Sequence, residues 1–359
     1  MAAARVLLAM SGGVDSSVAA CLLREEGYQV TGAAMNLLGT EETVPGQKSC
    51  CSLSDLADAR EVAGLLGFDF YVFNFRRIFN HEVIRRFAEA YCSGLTPNPC
   101  LDCNRYMKFR YFWDRAKVLN NDFMATGHYA RREYAPDTGR YVLKKALDTS
   151  KDQSYVLYTL SQAELARTLF PLGNLAKTEV RALALKLGLA NAQKPDSQDI
   201  CFVRQGRYSD FLSRIVKLPK AGNIIDTEGR VLGRHNGIHN FTVGQKKKLG
   251  LKLPEPRYVI SLEPETDTVV VGAEEDLDKG LALITDVNYI SIPELTGPLA
   301  VTAKIRYRQE EIPAEISPHP LGAVLTFAWP QRAVTPGQAA VFYSDDLVIG
   351  GGTIARQKP

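Results

Sequence analysis

Arg5-Val6-Leu7-Leu8-Ala9-Met10-Ser11-Gly12-Gly13-Val14-Asp15-Ser16-Ser17 is the stretch that decides the fold. Residues 5–10 form a short apolar run that reads as a buried strand. Residues 16–26 carry apolar side chains at helical spacing and stop at Gly27. Two glycines between a strand and a helix let the backbone turn so that several amide N–H groups face one concavity. The hydroxyls of Ser11, Ser16 and Ser17 and the positive end of the helix dipole complete an anion site. Asp15 would repel a phosphate unless a Mg²⁺ lay between them, so a metal-bound nucleotide is expected. No G-x-x-x-x-G-K-[ST] occurs, which excludes a kinase-like P-loop.

Outward from this loop the chain alternates between two periods. Further strands are expected at 29–34, 68–73 and 123–126, and helices at 54–66, 78–91, 105–119 and 177–187. Such alternation means βαβ units, hence an α/β domain with a doubly wound parallel sheet. After about residue 208 the texture changes. Segments 257–262, 268–271, 299–307, 323–328, 339–343 and 347–354 are short, rich in Val, Ile, Tyr and Phe, and separated by turn residues. That is the pattern of a small barrel or sandwich. The expected organisation is a nucleotide-binding catalytic domain over 1–207, a small central domain over 208–279 and a C-terminal β-barrel over 280–359.

A length of 359 residues agrees with two or three domains. With 45% hydrophobic and 23% charged residues, wholesale disorder and collagen-like structure are excluded. The longest stretch without Lys, Arg, Asp or Glu is 316–331, broken by Pro318, Pro320 and Pro330, too short for a membrane helix. With no signal peptide at the N-terminus, a cytoplasmic protein is expected. The net charge of +3 announces no nucleic-acid binder by itself. Residues 101–132, however, hold seven Lys/Arg against three Asp, interleaved with Tyr106, Tyr111, Trp113 and Tyr129. A second basic run is Lys246-Lys247-Lys248, followed by Lys252 and Arg257.

Seven cysteines is an odd number, and a chain this long needs no disulfide staples. Attention therefore moves to reactive or metal-binding thiols. Cys100 and Cys103 lie in Thr96-Pro97-Asn98-Pro99-Cys100-Leu101-Asp102-Cys103-Asn104. A helix with Arg105, Lys108 and Arg110 follows, a setting that lowers a thiol pKa. Cys201 lies in Asp196-Ser197-Gln198-Asp199-Ile200-Cys201-Phe202. Cys21 and Cys92 read as core thiols, while Cys50-Cys51 is ambiguous. A lone CxxC without a second one weakens a structural zinc reading.

The loop resembles that of the PP-loop ATP pyrophosphatase superfamily, the adenine nucleotide alpha hydrolase-like enzymes that adenylate a substrate oxygen and release pyrophosphate. By that resemblance Ala9, Met10, Ser11, Gly12, Gly13, Val14, Asp15 and Ser16 cradle ATP, Met35 borders the adenine and Gly127 lies at the nucleotide. SGGVDSS, TPNPCLDCN, ATGHYAR (125–131), SKDQSYVLY (150–158), DSQDICF and TPGQAAVFY (335–343) occur in the order and spacing of one family, the tRNA-specific 2-thiouridylases. The match runs nearly end to end. It implies ATP-dependent 2-thiolation of the wobble uridine of tRNA by a tRNA-uridine 2-sulfurtransferase, with Mg²⁺. Cys103 would be the nucleophile and Cys201 the persulfide carrier. Asn98, Pro99 and Cys100 would stand beside the target base, and His128, Lys151, Asp152, Gln153, Arg306, Tyr307 and Gln338 against the tRNA. A sulfur donor, a cysteine desulfurase or a relay protein, is implied as partner.

The chemistry suits the residues. The C2 oxygen of uracil is a poor leaving group, adenylation makes it a good one, and two thiols can carry and release sulfur. Two uses of the thiols stay open: a persulfide on Cys201 resolved by Cys103, or a [4Fe–4S] cluster on Cys100, Cys103 and Cys201. A PP-loop synthetase acting on a small metabolite would leave the thiols unused. An RNA-binding module with structural zinc is the non-enzymatic alternative.

Overall fold

The computed structural model describes residues 3–39, 53–194, 200–203, 208–251 and 253–356. Cys50, Cys51, Lys252 and the Asp196-Ser197-Gln198-Asp199 part of the Cys201 motif lie outside them. The chain divides into two compact units. The first comprises Met1–Val83, Cys100–Phe202 and Asp346–Val348; the second comprises Ile84–Pro99, Val203–Asp345 and Ile349–Pro359.

The first unit is built on a parallel sheet. Its strands are β1 (Arg5–Ala9), β2 (Gln29–Asn36), β3 (Phe70–Asn74) and β4 (Phe123–Thr126), with a hairpin of β5 (Arg131–Ala135) and β6 (Arg140–Lys144) before β7 (Thr168–Leu169). The sheet order is β3-β2-β1-β4-β7. Successive residues of a strand face opposite sides, and Val6, Leu7 and Leu8 are all fully buried, so both faces of β1 are covered. Helix α1 (Val14–Glu25) buries Val14, Val18, Ala19 and Leu23 in a core shared with Val6, Leu8 and Val30. The helix Lys177–Lys186 adds Val180 and Ala184 to that core. Helix α2 (Leu53–Leu66) contributes Ala59 and Val62. Lys144 pairs with Leu347.

The second unit contains two β structures. Strands β8 (Gly222–Asp226), β9 (Val231–His235), β10 (Tyr258–Glu263) and β11 (Thr268–Gly272) form a sheet in the order β10-β11-β8-β9. Ile224, Ile238, Phe241, Val259, Val269 and Val271 make its core. Six strands follow: β12 (Asp278–Tyr289), β13 (Leu299–Lys304), β14 (Ile312–His319), β15 (Gly322–Arg332), β16 (Ala339–Ser344) and β17 (Leu347–Ile354). They run β12-β15-β14-β13-β16-β17, and β12 pairs with β17 to close a barrel, which leaves no open edge.

The structure lengthens or shifts several elements expected from sequence. The helix expected at 105–119 begins at Pro99, because proline is well placed in a first helical turn, and its Cys103–Tyr111 portion is π-helical. The strand expected at 299–307 ends at Lys304, and Arg306 and Tyr307 fall in the turn that Gln309 N–H closes on the Arg306 carbonyl. Strand β14 was not expected, since Pro313 and Pro318 interrupt it, yet it pairs with β13 on one side and β15 on the other.

Candidate functional site

β1 continues into β2 on one side and β4 on the other, so the loop at its C-terminal end lies where the strand order reverses, the usual ligand position in open α/β sheets. The loop is locked by its own hydroxyls. Ser16 Oγ donates to the Gly13 carbonyl at 3.0 Å and accepts from Ser11 N–H at 3.3 Å, while Ser17 Oγ donates to Gly13 at 3.2 Å. Gly12 has φ +72°, and a Cβ there would overlap the Asp55 carbonyl oxygen, so only glycine fits. Gly127, just past β4, packs on the loop: a Cβ would meet Ser16 N at 3.0 Å and Asp15 C at 3.1 Å. Met35 is half-buried near the end of β2, paired with Phe73.

Asp15 is held by two residues to which the sequence assigned no role at the loop. Lys177 Nζ donates to both carboxylate oxygens at 2.8 Å, and the Tyr129 hydroxyl donates to Oδ1 at 2.7 Å. Lys177 also sits 5.6 Å from the Tyr129 ring centre. Beside the loop, Lys194 pairs with Asp55 and, at 2.6 Å, with Asp58, and it reaches the Gly12 carbonyl at 3.4 Å. Burial alone would lower the Lys194 pKa, but the two carboxylates outweigh it and raise it. Asn191 Nδ2 donates to the Gly12 carbonyl at 3.0 Å and to Ser17 Oγ at 2.9 Å. Taken together, Asp15, Asp55, Asp58, Lys177 and Lys194 leave one net negative charge around the loop.

Lys177 was detectable in principle. It opens its helix, where a cation opposes the helix dipole, and a residue so placed needs a partner elsewhere. Lys194 and Asn191 give no such local signal, because they reach the loop from 182 and 179 residues away.

His128 follows Gly127 and is buried. Its Nδ1 lies 2.7 Å from Thr126 Oγ1 and its Nε2 lies 3.2 Å from Lys108 Nζ. An ammonium has only donors, so Nε2 carries the lone pair and Nδ1 the proton, donated to Thr126. Burial, followed by the nearby Lys108 charge, holds the imidazole well below its ordinary pKa and keeps it neutral.

Cys100 is exposed in the first turn of the helix that Pro99 opens, and Cys103 is half-buried at the start of its π-helical portion. The sequence reading put Cys103 at the helix N-terminus; the earlier helix start moves it one turn inward. Asn104 beside it is buried, donating to the Val156 carbonyl at 3.4 Å. Cys201 is half-buried. Among the described residues, no three of His, Cys, Asp and Glu stand together as ligands for an ion. Cys100, Cys103 and Cys201 are thus not grouped as ligands of one ion in this structure.

The residues expected against RNA are distributed. Asn98 is half-buried and Pro99 buried. Asp152 Oδ1 accepts from Ala146 N–H and Ser154 N–H, and its Oδ2 from Ser154 Oγ at 2.7 Å, so it organises its loop. Gln153 Oε1 accepts from Tyr129 N–H at 3.0 Å, and Lys151 is half-buried beside it. In the second unit Arg306 is exposed and donates to the Ala333 carbonyl at 2.7 Å, with Tyr307 40% exposed next to it. Gln338 Nε2 donates to the Thr96 carbonyl at 2.6 Å.

A nucleotide-type loop at the switch point of a parallel sheet defines the class, and comparison with known proteins agrees. A family model described as a tRNA methyl transferase HUP domain matches residues 4–205. A PRC-barrel domain of the same description matches 209–273, and an aminomethyltransferase beta-barrel domain matches 279–354. The tRNA-specific 2-thiouridylase MnmA of Moorella thermoacetica is 51% identical over 354 residues, covering 97% of this chain and 98% of that protein. That of Clostridioides difficile is 45% identical over 356 residues, covering 98% of each. The chain belongs to the tRNA-specific 2-thiouridylase family. Among solved structures, a 4-thiouridine synthetase–RNA complex with bound ATP aligns at 17% identity over 59% of this chain and 49% of that one, with a TM-score of 0.38. A likeness at that level carries no argument about chemistry. No helix among the described residues is long and apolar enough to cross a membrane.

Proposed function

We propose that the protein is a cytoplasmic tRNA-uridine 2-sulfurtransferase that forms 2-thiouridine at the wobble position of tRNA. The observation that carries this reading is the locked Ser11–Ser17 loop in a chain that also holds Cys100, Cys103 and Cys201 in the same compact unit. ATP binds along Ala9–Ser16, with Met35 and Gly127 at the nucleotide. A carboxylate has about four acceptor positions. Lys177 and Tyr129 occupy three on Asp15, which leaves Oδ2 one position for a Mg²⁺ or its water. That ion would add positive charge at the phosphates.

The uracil C2 oxygen attacks the α-phosphorus of ATP, pyrophosphate leaves with the bonding electrons and the N3 proton is released. The terminal sulfur of a Cys201 persulfide then attacks C2 and displaces AMP. The Cys103 thiolate attacks Cys201 Sγ, the thiouridine sulfur departs with its electron pair, N3 regains a proton and a Cys103–Cys201 disulfide remains. A dithiol reductant resets it, and a cysteine desulfurase or relay protein reloads Cys201. Asn98, Pro99 and Cys100 stand at the flipped base. His128, Lys151, Asp152, Gln153, Arg306, Tyr307 and Gln338 form the tRNA contact set.

Mass spectrometry of tRNA after incubation with ATP, Mg²⁺ and a persulfide donor tests the reading. Thiolated uridine with stoichiometric AMP and pyrophosphate is expected, and ADP as product would refute the PP-loop chemistry. Cys201→Ser should keep tRNA binding and lose thiolation, and Cys103→Ser should lose turnover. Arg306→Ala should weaken tRNA binding and flatten its salt dependence by roughly one unit of slope.

A further inference from the structure

We infer that Lys108 is a catalytic electrostatic residue of this site, binding the α-phosphate of ATP as it is transferred to the uridine oxygen. The inference rests on the function proposed above. Its starting point is charge. Lys177 and Lys194, the two lysines that touch the loop, are both matched by carboxylates, and the cluster they belong to is net negative. A bound triphosphate adds further negative charge, and the charge that builds at the α-phosphate during transfer calls for a cation outside that cluster.

Lys108, joined to the loop through His128 and its neighbour Gly127, is a cation that no carboxylate among the described residues offsets. Its partner is the neutral lone pair of His128 Nε2 at 3.2 Å. A half-buried ammonium whose acceptor is neutral keeps its full charge and two further N–H donors for an anion. Its position is fixed by a chain of contacts. Thr126 closes β4 and accepts the His128 Nδ1 proton; Phe109 and Phe170 flank the ring with centroids 6.0 and 6.3 Å away. Gly127, between Thr126 and His128, rests on Asp15 and Ser16 of the loop. The ammonium is thereby anchored on His128, the residue after the one that touches the phosphate loop, and it projects from the helix that also carries Cys103. His128, besides its place in the proposed tRNA contact set, orients Lys108 through its Nε2 lone pair and is a positioning residue for it.

Pre-aimed charge of this kind acts on the charge that develops as pyrophosphate departs. Lys108→Met should lower the single-turnover rate of tRNA-dependent pyrophosphate release by about 100-fold or more, while the KM for ATP changes little. Lys108→Arg should recover a large part of the rate. Circular dichroism and tRNA affinity are measured on the same samples. Should the Met variant fail to fold, Lys108→Gln, which keeps a donor toward His128, carries the same expectation. Pyrophosphate release at the wild-type rate from a folded Lys108→Met protein overturns the inference. So does a variant that loses only tRNA affinity and recovers full rate at saturating tRNA, which would make Lys108 a contact to the RNA backbone. A wild-type protein that releases no pyrophosphate with tRNA would instead refute the underlying function.

Discussion

At the residue scale, the balance of Asp15 by Lys177 sets the behaviour of the loop. Lys177 is 9% exposed and Asp15 29%, so removing the lysine strands a partly buried carboxylate. Lys177→Ala should cost about 2 kcal/mol, below the usual range for a fully buried pair because water reaches Asp15. Adding Asp15→Ala to that variant should restore part of the loss, and a double-mutant cycle in urea measures the coupling. Additive effects would deny the pair an energetic role. Three buried histidines make a second prediction. Burial lowers the pKa values of His128, His235 and His239, with Lys108 adding to the effect at His128 and His235 adding to it at His239. Each is neutral when folded and protonates more readily when unfolded. Their contribution is intact above about pH 6.5 and is lost as pH falls from there toward the folded values. Stability should thus decline on acidification from pH 6.5, by up to about 1.4 kcal/mol per pH unit for each group. His128→Phe should flatten that decline, which urea melts at several pH values will reveal.

At the scale of elements, the strand–loop–helix unit depends on Gly12. Gly12→Ala combines a left-handed φ with a collision against the Asp55 carbonyl, so α2 or the loop must move. Loss of ATP-dependent pyrophosphate release with the parallel sheet retained by circular dichroism is expected; an active variant would show the loop to be pliable. This unit was legible from sequence because a strand period, two glycines and a helix period meet within twenty residues. The thiol helix was legible only in part: its first turn from Pro99 carries no helical spacing of apolar residues, and nothing announced a π-helical portion. The resemblance sets Asp152 against the tRNA, and the same side chain accepts from Ala146 N–H and Ser154 N–H. Asp152→Ala should therefore cost about 1–2 kcal/mol in stability. Any effect of this variant on tRNA binding should be read beside its loss of stability in the same preparation. Lys177 left a local trace as a cation at a helix start, whereas Lys194, Asn191 and Lys108 were not legible as site residues. Their roles arise from contacts between distant segments, which periodicity cannot report.

At the scale of the whole molecule, neither compact unit is a continuous piece of chain. Residues 84–99 belong with the second unit, where Thr96 N–H donates to the Pro336 carbonyl, Arg356 reaches the Ser93 carbonyl and Gln338 donates to Thr96. An excised 1–207 fragment should therefore be cut by protease within 84–99 while the full chain resists, and equal protection would show that this segment is held without those partners. The same discontinuity has a consequence for biosynthesis. Thr96 leaves the ribosome 242 residues ahead of Gln338. At about 5–20 residues per second the wait is on the order of ten seconds or more. During that time the segment leading into Pro99, and so into the helix of Cys100 and Cys103, lacks the hydrogen bonds that fix it. Ordering of the segment that leads into the thiol-bearing helix is thus timed by codons translated 242 positions later.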